Sequence, residues 1–137
     1  MEITLALLAE AANSTPDGKL NIHAAFTALG FEQFPATVPK TVLVLRFEIG
    51  DGDWGAQQWI TVTIYDGDEQ VITTTDASVN LPDDPSGGQP AAFFQLFQFL
   101  GLTYVAPGEY EVVVEVNDEP KESVLITVGQ LQPPPTE

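Results

Sequence analysis

Polar and apolar residues alternate with a period of two along most of this chain, nowhere more regularly than in residues 109–118. Tyr110, Val112, Val114 and Val116 fall on one face and Glu109, Glu111 and Glu115 on the other, with only Val113 out of step, as expected of a strand with one buried and one wet side. Pro107 and Gly108 before it, and Asn117, Asp118, Glu119 and Pro120 after it, are turn residues. Residues 123–128 supply a return strand, so this end of the chain predicts a hairpin. Earlier segments repeat the pattern. Ile3, Leu5, Leu7 and Ala9 alternate in a first strand, although its alanines and leucines would also suit a helix. A turn at 14–19 joins it to Leu20, Ile22, Ala24 and Phe26. Residues 31–40, with Pro35 and Pro39, read as a connection. Residues 41–49 set Leu43, Leu45, Phe47 and Ile49 against Val42, Val44, Arg46 and Glu48, apolar enough for a central strand. After a Gly- and Asp-rich loop at 50–55, Ile60, Val62 and Ile64 are expected inside and Trp59, Thr61, Thr63 and Tyr65 outside. An Asp66-Gly67 turn leads to a strand at 70–81 with Val71, Thr73, Thr75, Ala77 and Val79 on one side. Residues 81–90, rich in proline and glycine, read as a long mobile connection. From Gln130 onward, Pro133, Pro134 and Pro135 predict a polyproline-like tail. One domain is thus expected over 1–129, with a tail at 130–137.

Residues 91–102 resist the pattern. As a strand they put Phe94, Leu96, Leu100 and Leu102 on one face with Gln98, and Phe93, Phe97 and Phe99 on the other with only Gln95. As a helix they give a stripe of Phe93, Leu96, Phe97 and Leu100 from which Phe94 and Phe99 stray. The aromatic content and the run into Thr103, Tyr104 and Val105 favour the strand. A strand apolar on both faces is either covered, here by the 81–90 loop or the tail, or is an interface.

Composition narrows the function classes. The 137 residues carry 20 acidic and four basic side chains, for a net charge of -16, and no cysteine. Disulfides, thiolate zinc sites and cysteine nucleophiles are therefore excluded. Phosphate backbones and anionic lipid surfaces bind through clustered lysine and arginine, so neither nucleic acid nor membrane is an expected partner. The acids are scattered through strands and turns, which fits a well-hydrated soluble surface, of the kind useful in a saline cytoplasm, better than a cation store, a dock for a basic surface or a nucleic-acid mimic. The first ten residues place Glu2 where a signal peptide would be basic, and no run reaches the roughly 20 apolar residues of a membrane span, so a cytoplasmic protein is expected.

Candidate chemistry is sparse. His23 is the single histidine, and no nucleophile elbow, phosphate loop or dinucleotide fingerprint accompanies it, so no enzyme and no cofactor are expected. If strands alternate in direction, the loops at 13–19, 50–56, 81–90 and 117–120 share one end, gathering Asp17, Asp51, Asp53, Asp83, Asp84, Asp118 and Glu119. Oxygen-rich loops of this kind can hold calcium, but Asp and Gly are also ordinary turn residues and no EF-hand spacing is present, so no metal site is expected.

Eight strand candidates joined by turns predict an all-β fold: a two-layer antiparallel β-sandwich of immunoglobulin-like kind with about seven or eight strands. The chain resembles an uncharacterised bacterial family of small immunoglobulin-like β-sandwich proteins. Carrying the resemblance are residues 3–13, Gly18 to Ile22, Phe34-Pro35, Leu43 to Glu48, and Pro107-Gly108-Glu109-Tyr110. It implies the fold and a bacterial cytoplasmic setting, and lends no activity. The functional expectation is a non-catalytic structural or interaction module. It would self-associate or dock on a larger protein assembly through Phe93, Phe97 and Phe99, with Trp59 and Tyr65 from another strand, because aromatics bury large area at little conformational cost. The alternative is a ligand-binding module using the acidic loops for calcium, or Trp54 and Trp59 for a sugar.

Overall fold

A computed structural model of the chain describes residues 1–50, 52–83 and 91–132. Among them there is no helix and there are nine strands: β1 (Glu2–Ser14), β2 (Leu20–Phe26), β3 (Ala28–Phe31), β4 (Ala36–Ile49), β5 (Gln57–Tyr65), β6 (Val71–Asn80), β7 (Ala91–Tyr104), β8 (Gly108–Val116) and β9 (Glu119–Gln130). They form two sheets, of order β2-β1-β4-β7 and β3-β9-β8-β5-β6.

Alternation decides which side of each strand is dry. Tyr110, Val112, Val114 and Val116 of β8 and Ile60, Val62 and Ile64 of β5 are buried, and they meet Leu43, Leu45 and Phe47 of β4 in one cluster shared by both sheets. Fully burying such aliphatic and aromatic side chains contributes about 1.5–3 kcal/mol each, so this cluster is the main source of stability. The β8–β9 hairpin closes through Asn117 and Asp118, both left-handed with φ of 52° and 66°. Val116 pairs directly with Glu119, the geometry of a tight two-residue turn whose twist matches its strands. The Tyr110 hydroxyl donates to the Ala106 carbonyl at 2.6 Å and ties β8 to the turn before it. Tyr104 stacks edge-on against Tyr110 at 5.0 Å. Burial, and then the Tyr110 charge, push its phenol up to about 12.

Three local expectations need correction. Residues 28–31, expected to lie between strands and in the 31–40 connection, form β3, which runs parallel to β9, so the sheets are not wholly antiparallel. β4 begins at Ala36, inside that expected connection. In β6 an irregularity opposite Ile64 and Tyr65 shifts the register. Val71 consequently faces solvent at 58 % exposure, and Ile72 takes the place against the core expected for Val71. The polyproline-like extension expected at Pro133–Pro135, and most of the 81–90 connection, lie outside the described residues.

One sheet is curled like half of a barrel. In β1, Leu5 pairs with Arg46 of β4, while Ser14 is nine residues, or about 30 Å of extended chain, further on. Yet Ser14, Thr15, Pro16 and Gly18 line one cleft with Arg46 and Phe94. The β1–β2 hairpin therefore turns back over the face of its own sheet that points away from the core.

Candidate interaction surface

Among the described residues β7 is the unpaired edge of the four-stranded sheet, and its 14 residues contain no charged side chain. Its residues are strand-formers, and β4 fixes which way they face. Pairing sets Phe97 opposite Leu43, Gln95 opposite Leu45 and Phe93 opposite Phe47, while Gln98, Leu96 and Phe94 stand opposite Val42, Val44 and Arg46. Since Leu43, Leu45 and Phe47 point into the core, so do Phe93 and Phe97. Phe97 and Phe99 are each 6 % exposed, and Phe93 stacks on Phe47 with centroids 5.2 Å apart. The aromatic face expected to meet a partner is thus the core face, and Phe94, Leu96, Gln98 and Leu100 form the outward one. At Gly101 the backbone is left-handed, with φ of 71°, so the side-chain parity changes and Leu102 and Tyr104 return to the core.

The outward face of this sheet is apolar across three strands. Leu7, Val44 and Leu96 form one row and Leu5, Arg46 and Phe94 the next. Ala9, Val42 and Val44 are buried there, although they stand outside the main core cluster. Lys40 and Arg46 share the face, and Lys19 sits in the hairpin tip, so three of the chain's four basic residues lie on or beside it. Arg46 donates from Nη1 to Thr4 Oγ1 at 2.8 Å and to Glu48 Oε1 at 3.0 Å. Between the hairpin tip and β7 lies an open cleft of about 590 Å³.

Trp59 and Tyr65 project from β5 in the other sheet. They do not join Phe93, Phe97 and Phe99 in one surface, because the two groups belong to different sheets and Phe97 and Phe99 are core residues. Trp59 is 50 % exposed, and its backbone is clamped by Asn117, whose Oδ1 accepts from the Trp59 amide at 3.0 Å. Tyr65 lines an acidic cleft of about 530 Å³ with Asp66, Glu69, Glu109 and Glu111.

Of the expected loop cluster, residues 52–56, 81–83 and 117 meet at one end. Gly55 donates to the Pro82 carbonyl at 2.9 Å, and Asn117 donates to Gln58 Oε1 at 2.7 Å. Trp54, a sugar candidate, packs partly buried against the core. Asp53 is already engaged, receiving the Gly50 amide at 2.8 Å and the Met1 ammonium at 3.1 Å. Partial burial opposes its ionisation, but the amide, the ammonium and the Lys121 charge together hold its carboxyl below the usual value of 3.8. Asp17 is also lowered, chiefly by the Thr15 hydroxyl and then by Lys19. Among the described residues no three histidine or carboxylate side chains are grouped so as to hold a metal ion. Asp51 and Asp84 lie outside them. His23 is exposed on β2, in a recess with Ala11, Asn13, Asn21 and Lys40.

In β4, Val42 and Val44 are as apolar as Leu43 and Leu45, as expected of a central strand, and both of its faces are buried.

The chain matches, over residues 4–129, the model of a family described as Family of unknown function (DUF6941), and it belongs to that family. No curated protein matches it.

Proposed function

We propose that this member of a family of unknown function is a non-catalytic interaction module, which assembles with protein through the β7 edge and the outward face of the four-stranded sheet. The observation that carries this reading is β7: in a chain of net charge -16, its 14 residues, unpaired along one side among the described residues, hold no charge. The adjoining face of Leu5, Leu7, Phe94 and Leu96 is apolar and only half covered. Natural sheets shield such edges with charges, prolines, bulges or brevity, and large apolar faces mark contact sites.

The scaffold is, in this reading, an immunoglobulin-like sandwich. Supporting it is the order β9-β8-β5-β6 against β1-β4-β7, which corresponds to strands G, F, C and C′ facing A, B and E, with β2 as an insertion and β3 as a parallel partner of the last strand. The Tyr110 hydroxyl on the Ala106 carbonyl has the form of a tyrosine corner.

Extracts of the source cells, fractionated by size, test the function. Tagged wild-type chain is expected in a species larger than the monomer, and Leu96→Asp, shown by circular dichroism to be folded, is expected at monomer size. Identical elution of the two would refute the reading.

A further inference from the structure

We draw no further inference here: the strongest candidate, the cleft of about 530 Å³ on the outward face of the five-stranded sheet, where Asp66, Glu69, Glu109 and Glu111 surround Tyr65, Val113 and Leu125, is an acidic cluster over an apolar floor, and nothing in the structure shows what covers it.

Discussion

Replacing Phe97 by alanine separates the two possible orientations of β7. If Phe97 faced a partner, its loss would weaken assembly and leave the isolated domain almost as stable as before. In the structure it is 6 % exposed and belongs to the core cluster, with its strand position opposite Leu43, itself fully buried. Truncating a buried phenylalanine removes its transfer free energy and leaves a cavity, at about 3–5 kcal/mol. An entropy of unfolding of about 2.1 cal/mol/K per residue means that each kcal/mol moves the midpoint of a 137-residue domain by about 3–4 °C. The expected fall is therefore about 10–17 °C, measured by calorimetry or by near-ultraviolet circular dichroism on dilute protein. Leu100→Ala, at a site 73 % exposed on the same strand, is expected to cost less than about 0.5 kcal/mol. Should Phe97→Ala cost under about 1 kcal/mol while Leu100→Ala costs more, β7 faces the other way and the assignment of its outward row is wrong.

Other expectations follow from single contacts. Tyr110→Phe keeps the ring but removes the hydrogen bond to Ala106, at a cost of about 0.5–1.5 kcal/mol in urea unfolding, because Ala106 is exposed and its carbonyl can turn to water. Gly101→Ala meets no steric obstacle but must adopt φ of 71°, so it is expected to lose about 1 kcal/mol from backbone strain alone, by the same assay. Asp53 has a folded pKa below its unfolded value, so its contribution to stability is complete above the unfolded value and fades as pH falls through the folded one. Asp53→Asn is accordingly expected to be less stable than wild type near neutral pH, with the gap closing below about pH 4, as read from melting temperatures across a pH series. Calcium is expected to leave the melting temperature where magnesium at equal ionic strength leaves it; a calcium-specific rise would reinstate the acidic loops as a metal site.

Much of the fold was readable because one face of most strands is wet. Tyr110, Val112, Val114 and Val116 could be assigned inward from sequence alone, and they are buried, because the glutamates between them could not be. The same logic placed Leu43, Leu45, Phe47, Ile60, Val62 and Ile64. It failed in β7, where both faces are apolar and the period of two carries no information about which is inside. The answer there lies in non-local pairing to β4. The step in register at Ile64 and Tyr65, which exchanges Val71 for Ile72, is equally invisible to alternation, since a bulge changes parity without changing composition. β3 is four residues long and owes its state to β9, almost a hundred residues away in sequence. Of the acidic loops expected at one end, the described residues 52–56, 81–83 and 117 converge, but their convergence serves hydrogen bonds between loops and an engaged Asp53. The 13–19 turn instead lies over the outward face of the four-stranded sheet, because β1 curls.

Residue-resolved amide hydrogen exchange along β7, compared between the dilute purified chain and the larger species isolated from extracts, probes the edge itself. Alternate amides of an edge strand point away from their sheet and lack a partner in the monomer. Pairing through the edge predicts that every second amide within 91–100 becomes protected in the larger species, while the remaining amides, already bonded to β4, change little. Protection that is equal in the two, or that spreads evenly over the outward face without alternation, would contradict assembly through this edge.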